Sequence, residues 1–259
     1  MMTFFEKTKI LFKSRKIFKN WIIFPLSYYN LIFSNFIIFR TRNNKTIKIR
    51  KNSTDLMALI NVWLLEEYKK PNCDIKSDDI IIDIGAHIGL FTVYASQFCE
   101  RGKIFAIEPK KENYDLLLVN IKENNLKQVK AYNCAVSQSN TFVKLYINED
   151  DSGHSLYHLS EKYVKVESIT LQKILEDSDI TNCNLLKLDC EGAEYEILKS
   201  LPTSCFEKIE KIIMEYHMAD SQPELIEELK KNLMEQNYKI NVSNPIQGMG
   251  ILYAIKNSV

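Results

Sequence analysis

The segment Ile80-Ile81-Ile82-Asp83-Ile84-Gly85-Ala86-His87-Ile88-Gly89 decides the fold. An apolar run typical of a buried strand passes into a turn with two glycines, and a helical pattern follows at once. In doubly wound α/β folds a ligand binds beyond the carboxyl ends of the strands, where glycine lets the backbone approach it. We therefore predict a ligand-binding turn at Gly85, Ala86, His87 and Gly89, although glycine also serves plain strand-to-helix turns.

The rest of the chain from residue 53 alternates strand and helix patterns around this segment. Repeated βα units predict an α/β fold with a parallel sheet and right-handed crossovers. Gly248 and Gly250 separate the last two strands, which favours an antiparallel end to the sheet. Predicted strands cover 80–84, 104–107, 129–135, 185–188, 209–215, 238–242 and 251–255. Predicted helices cover 90–98, 113–124, 171–175, 194–198 and 224–235. Two more segments, 141–147 and 164–169, are predicted to form further strands or an insertion.

Residues 1–52 form a predicted extension to a domain at 53–259. The first 50 residues hold 11 Lys or Arg and a single acid, Glu6. In residues 35–49 apolar and polar side chains alternate on both sides of a polar turn, as in a β-hairpin. Upstream, the pattern predicts an amphipathic helix with an apolar face and a basic face. The apolar face contains Phe4, Ile10, Leu11, Ile17, Phe18 and Trp21, and the basic face contains Lys9, Lys13 and Lys16. This helix either packs on the domain or makes a peripheral contact with anionic lipid.

The stretch from Trp21 to Phe39 carries no charge over 19 residues and approaches the length of a membrane span. Pro25, Ser27 and Asn30 interrupt it, and its end overlaps the hairpin pattern, so we predict that it does not cross a bilayer. Six cysteines show no C-x-x-C pair, and no small-residue cleavage site follows an N-terminal apolar run. Both observations favour reduced thiols in a cytoplasmic protein without zinc or disulfides.

The charge of the remaining chain excludes one class of partner. Overall net charge is +1, but residues 51–259 hold 23 Lys or Arg against 32 Asp or Glu, a net charge of −9. An acidic body of this kind repels phosphates, so we expect no nucleic acid partner.

The second strand ends at Glu108, 23 residues beyond Gly85. An acid at this place accepts hydrogen bonds from both ribose hydroxyls of an adenosine cofactor. A dinucleotide fingerprint needs a second glycine where His87 stands, so pyrophosphate binding is disfavoured. An adenosine with an amino-acid tail has no phosphate, and Asp83 at the strand end is placed to meet the ammonium group of that tail. The pattern therefore favours S-adenosylmethionine over NAD.

From about Ser53 to the C-terminus the chain resembles the FkbM-type methyltransferases. The specific segments are 83–92, Ile107-Glu108-Pro109 with Asn113, Ala135-Val136-Ser137, and 186–194, which contains Asp189-Cys190-Glu191-Gly192. The resemblance implies a Rossmann-like class I methyltransferase fold, S-adenosylmethionine as cofactor with Ala135 among its contacts, and O-methylation of hydroxyls on sugars or polyketides. The family usually has Asn where His87 stands.

Four candidate catalytic residues follow two neighbouring strands, namely Asp189, Glu191, Glu215 and His217. Asp189 or Glu191 could orient or deprotonate an acceptor hydroxyl, unless Glu191 only caps the following helix. His217 is the preferred general base, because its ordinary pKa is near 6.5. The same four side chains could instead hold a divalent metal, but we predict none.

Three further side chains leave their roles open. His154 lies in a serine-rich loop with His158 and is a candidate for contact with the acceptor. Lys187 is either a buried partner of the acids or a cofactor contact.

Three functions fit the sequence to different degrees. A nicotinamide oxidoreductase would need a third glycine in the turn, which this chain lacks. A catalytically inactive adapter at a membrane would need no acids around the crevice, yet four are present. The function that we predict is a methyltransferase that acts on a small-molecule or glycan hydroxyl, either free in the cytoplasm or peripherally at the inner face of the membrane.

Overall fold

A computed structural model describes residues 4–146, 162–243 and 248–257, with side chains described from residue 7 onward. The helices are α1 Phe4–Ile17, α2 Ile23–Tyr28, α3 Asp55–Leu59, α4 Leu90–Ala95, α5 Lys111–Glu123, α6 Leu171–Asp177, α7 Glu194–Lys199, α8 Thr203–Phe206 and α9 Pro223–Glu235, and a π-helical turn at Ile60–Leu64 extends α3. The strands are β1 Phe36–Arg40, β2 Thr46–Arg50, β3 Ile80–Ile84, β4 Lys103–Ile107, β5 Val129–Tyr132, β6 Ala135–Val136, β7 Phe142–Tyr146, β8 Tyr163–Ile169, β9 Leu185–Leu188, β10 Lys211–Tyr216, β11 Tyr238–Val242 and β12 Gly250–Lys256.

A seven-stranded sheet in the order β11-β12-β10-β9-β3-β4-β5 forms the centre of the protein. Strands β5, β4, β3, β9 and β10 run parallel, and β12 pairs antiparallel with both β10 and β11. The predicted α/β fold with an antiparallel C-terminal end is therefore confirmed. Ile81, Ile82 and Leu186 are fully buried because helices cover both faces of a parallel sheet.

The predicted strand 129–135 is wrong in one respect. The chain leaves the central sheet after Tyr132, and Asn133 donates hydrogen bonds from its side chain to the backbone oxygens of Glu108 and Pro109. Ala135 then begins β6, which pairs with β8 in a separate three-stranded sheet of order β6-β8-β7. The segments predicted as further strands or an insertion thus form this small sheet, and residue 147 lies outside the described residues.

The N-terminal segment packs against the same core as the central sheet. Strands β1 and β2 pair antiparallel with Phe36 opposite Arg50, as the hairpin pattern predicts. In α1 and the turn after it, Ile10 and Phe18 are buried in a cluster that also contains Ile81. Leu11 is exposed, although the predicted apolar face includes it.

No helix in the described ranges is both long enough and apolar enough to span a membrane. All six cysteines are free thiols, in agreement with their predicted reduced state.

Candidate active site

A cavity of about 310 Å³ opens at the carboxyl ends of β3, β4, β9 and β10. This is the edge of the sheet at which the sequence predicts ligand binding. Backbone and side chains from the glycine turn line one wall, and the acids that follow β9 and β10 line another.

The glycine turn fits between the ends of two strands. The N–H groups of Gly85 and Ala86 both donate to the backbone oxygen of Ile107, each at 3.0 Å. Gly85 has φ = +74°, and a Cβ built on it would lie 1.8 Å from the backbone oxygen of Asp189. Only glycine therefore allows β3 to approach the end of β9 this closely.

Glu108 lies buried at the end of β4 and is held by donors on both oxygens. Its Oε2 accepts from the backbone N–H of His87 at 2.9 Å, and its Oε1 accepts from the N–H of Lys110 at 2.9 Å and from the amide of Asn113 at 3.3 Å. Burial raises the pKa of Glu108 to about 7, although these donors oppose the effect. The carboxyl group is fixed in one orientation and retains one acceptor site, on Oε2, for a further donor.

His87 joins the glycine turn to the N-terminal hairpin. Its Nε2 lies 3.2 Å from the guanidinium of Arg50, which makes a bidentate pair with the fully buried Asp55 at 2.7 and 3.0 Å. Burial lowers the pKa of His87 to about 4, because the attraction of Asp55 does not outweigh desolvation and the charge of Arg50. His87 is therefore a neutral imidazole, able to accept a hydrogen bond from Arg50.

Lys187 supplies a buried positive charge beneath the cavity. Its Nζ lies 3.1 Å from Asp83, 3.6 Å from Asp189 and 2.9 Å from the backbone oxygen of Gly85. Burial alone would lower the pKa of Lys187, but the two carboxylates raise it above its ordinary value. Of the two roles left open for Lys187, its contacts fit that of a buried partner of the acids.

Asp189 is the acid that the surrounding groups hold most firmly in its ionised form. The hydroxyl of Tyr68 donates to it at 2.9 Å. Burial would raise the pKa of Asp189, but Lys187, His217 and the bond from Tyr68 lower it below its ordinary value. A carboxylate with a lowered pKa is a weak proton acceptor, so Asp189 is suited to orienting a ligand.

His217 is held between two glutamates. Its Nδ1 lies 3.0 Å from the fully buried Glu194, and its Nε2 lies 3.5 Å from Glu191. Burial would lower the pKa of His217, but the bond to Glu194 and the charges of both glutamates raise it to about 10. The sequence favours His217 as a neutral base, whereas these contacts give an imidazolium ion that donates at neutral pH.

Two carboxyls on the rim have raised pKa values. Burial raises the pKa of Glu191 to about 7 and, with the nearby charges of Asp189 and Glu67, that of Glu215 to about 8. Asp189, Glu215 and His217 each offer a ligand atom within 4.8 Å of the others, which is a spacing that could hold a divalent cation. A metal there would first have to displace the proton of His217.

Most of the predicted site residues meet around the cavity, and these are Gly85, Ala86, His87, Glu108, Ala135, Asp189, Glu191, Glu215 and His217. Asp83 lies below it, bound to Lys187 and to the hydroxyl of Thr92, and is not part of its lining. Gly89 also lies outside the lining. It directly precedes α4 and has a positive φ of 85°. His154 and His158 lie outside the described residues.

Three residues at the site have no role in the sequence-based prediction. Tyr68 and Glu67 line the cavity from the segment after the π-helical turn, and Glu194 fixes His217 from below. The position of Glu194 within the segment 186–194 is the one feature of the sequence that could have pointed to it.

Comparison with known proteins identifies the family of the chain. Residues 83–240 match the family model described as Methyltransferase FkbM domain. Methyltransferase 1 of Beauveria bassiana is 23% identical over 191 residues, which are 65% of this chain and 75% of that protein. Methyltransferase sdnD of Sordaria araneosa is 29% identical over 175 residues, 55% of this chain and 68% of that protein. The hexuronic acid methyltransferase AglP of Haloferax volcanii is 23% identical over 144 residues, 56% of this chain and 58% of that protein.

Proposed function

Because this chain belongs to the FkbM methyltransferase family, we propose that it transfers a methyl group from S-adenosylmethionine to a hydroxyl of a sugar, a glycan or a similar small acceptor. The observation that carries the proposal is one cavity with a fixed carboxylate at one end and a rim of ionisable groups at the other. Membership in the family removes the basis for a nicotinamide oxidoreductase or a silent adapter.

The end of the cavity near Glu108 fits the adenosine part of the methyl donor. Three protein donors leave Glu108 one acceptor site, on Oε2, for a ribose hydroxyl. Asn113 beside it has a buried Oδ1 without a hydrogen-bond partner in the described structure. A buried acceptor of this kind is costly unless a ligand satisfies it. When bound, S-adenosylmethionine supplies an electrophilic methyl group on a sulfonium.

The rim supplies the proton acceptor that a hydroxyl substrate requires. Asp189 is ionised but weakly basic, and His217 already carries a proton. Glu215 combines a cavity position with a pKa of about 8, so its carboxylate is a stronger base than an ordinary one. We assign proton removal to Glu215, orientation of the hydroxyl to Asp189 and Glu191, and stabilisation of the developing negative charge to the imidazolium of His217.

The size of the cavity and one relative bear on the class of acceptor. The name of AglP supports a carbohydrate acceptor. At neutral pH the cations Lys187 and His217 face the ionised Asp189, while Glu191 and Glu215 have pKa values of about 7 and 8, so the rim has no excess of negative charge that would repel a uronic acid. A cavity of about 310 Å³ favours a small acceptor over nucleic acid.

Calorimetric titration of the purified protein with S-adenosylmethionine, S-adenosylhomocysteine and NAD tests the cofactor. We expect both adenosyl compounds to bind, and we expect Glu108→Gln to weaken their binding by about tenfold to a hundredfold, since a hydrogen bond from the ribose to a charged group is altered. Glu112→Gln, on the exposed side of α5, is the matched control and should bind as the wild type does. Binding of NAD alone would overturn the proposed cofactor.

Transfer of a labelled methyl group to a panel of neutral sugars, uronic acids and aromatic alcohols tests the acceptor. Glu215→Gln should abolish most of the methyl transfer without weakening the binding of the cofactor. Glu235→Gln, on the exposed face of α9, is the control and should leave the transfer unchanged. Transfer to aromatic alcohols but to no sugar or uronic acid would contradict the proposed carbohydrate acceptor.

A further inference from the structure

The N-terminal segment exposes large apolar side chains that the domain does not cover. Phe33 is fully exposed, and Ile22, Tyr29 and Leu31 are exposed over more than half of their surface. They lie in or near α2 and in the turn that leads to β1, within the stretch from Trp21 to Phe39 that carries no charge. A contiguous exposed apolar surface on a folded protein marks an interaction site.

Some of the exposed apolar side chains belong to β1, a strand that is packed on the core. Strand β1 alternates between faces, so that Ile37 and Phe39 are buried in the core while Phe36 and Ile38 point outward. The outward face of a two-stranded hairpin normally carries polar residues. Helix α2 contacts β1, which brings the exposed apolar side chains at the ends of α2 and in the turn after it close to those on the outer face of β1. We call this set the N-terminal apolar surface and define it by Ile22, Tyr29, Leu31, Phe33, Phe36 and Ile38.

Basic side chains lie beside the N-terminal apolar surface, and the segment that carries it has no acid between Lys7 and Thr54. Nζ of Lys48 lies 4.2 Å from the ring centre of Phe36, and Nζ of Lys7 lies 5.6 Å from that of Tyr28, whose ring contacts Tyr29. Lys48 is the cross-strand partner of Ile38, and Arg40 is exposed on the same outward face of β1.

We propose that the N-terminal apolar surface docks this protein onto an anionic lipid bilayer. Apolar and aromatic side chains enter the boundary between headgroups and acyl chains, and surrounding lysines and arginines meet anionic headgroups. A second copy of the chain fits less well, because two surfaces of the same positive charge repel each other. The contact is peripheral, and it does not depend on the proposed methyl transfer.

Flotation of the full-length protein with vesicles tests the docking. We expect binding to phosphatidylcholine vesicles with about 30% phosphatidylserine at about 0.1 M salt, and weaker binding at about 0.5 M. The variant Leu31→Ser/Phe33→Ser should bind about tenfold more weakly. Arg40→Ala/Lys48→Ala should bind about 25-fold more weakly, roughly five-fold for each base.

Matched changes on α9 separate this surface from general effects of charge and hydrophobicity. Met234→Ser removes an exposed apolar side chain and Lys231→Ala an exposed base, and both should bind vesicles as the wild type does. Because Phe33 is fully exposed, its replacement should leave the melting temperature unchanged. Absence of vesicle binding, equal binding to neutral vesicles, or a dimer that Leu31→Ser/Phe33→Ser dissociates would each overturn the proposal.

Discussion

Replacing Glu194 with Gln tests whether His217 is an imidazolium ion in the folded protein. The carboxylate of Glu194 is fully buried and accepts from the backbone N–H of Gly192 at 2.8 Å, from the N–H of His217 at 3.1 Å and from its ring at 3.0 Å. A glutamine keeps the shape of the side chain but has one acceptor oxygen in place of two. The imidazolium then loses its main stabilising charge.

The structure sets an upper limit on the effect. The contacts of His217 raise its pKa from 6.5 to about 10. Since each tenfold change in proton affinity corresponds to about 1.4 kcal/mol, the charged form stabilises the fold by at most roughly 5 kcal/mol. A raised folded pKa contributes stability that is fully present below pH 6.5 and is lost as the pH rises through 10. The deficit of Glu194→Gln should therefore be largest near pH 6.5 and shrink toward pH 10.

Urea unfolding followed by tryptophan fluorescence at several pH values between 6.5 and 10 measures this difference. Trp63 is buried and reports on the core. Glu196→Gln changes a partly exposed residue of the same helix and should give a small deficit that does not vary with pH. If the deficit of Glu194→Gln were also independent of pH, Glu194 would act only as a hydrogen-bond acceptor and His217 would be neutral.

Four further outcomes follow from the site. Glu215→Gln should lower kcat by at least about 100-fold with cofactor affinity unchanged, and the wild-type rate should rise with pH through about 8, as the carboxyl ionises, in a labelled-methyl assay. Gly85→Ala should lower the free energy of unfolding in urea by about 3 kcal/mol or prevent folding, because its Cβ meets the backbone of Asp189. Tyr68→Phe should cost about 2 kcal/mol in the same measurement, since a bond to a charged group is lost. Incubation with EDTA should leave the transfer rate unchanged, because His217 keeps its proton.

The sequence determines the central sheet because its signals are local. Each core strand is an apolar run that ends in a turn or a charged side chain, as β3 does before Gly85 and β9 does before Asp189. The break after Tyr132 was not predictable in this way, because a single polar residue, Asn133, is followed by the apolar residues Cys134, Ala135 and Val136. The structure ends β5 there because Asn133 bonds to the backbone of Glu108, a contact between residues far apart in sequence.

Contacts across the site explain what the sequence could not predict. Tyr68 and Asp189 are 121 residues apart, and nothing near Tyr68 marks it as a neighbour of a carboxylate. The protonation of His217 depends on Glu194, 23 residues away along the chain. Sequence patterns place residues at the ends of strands, but pKa values depend on which charges meet there and on how deeply they are buried.

The β1–β2 hairpin lies before the predicted domain boundary at residue 52, yet one of its side chains contacts the site. Arg50 neutralises the buried carboxylate of Asp55, which begins the domain, and its guanidinium contacts His87 in the glycine turn. His87 occupies a backbone conformation with φ = +53° and holds Glu108 through its N–H. His is one of the few residues other than glycine that adopt positive φ. Its ring contacts Arg50 and its N–H donates to Glu108, so the orientation of Glu108 depends on a contact between the glycine turn and the hairpin.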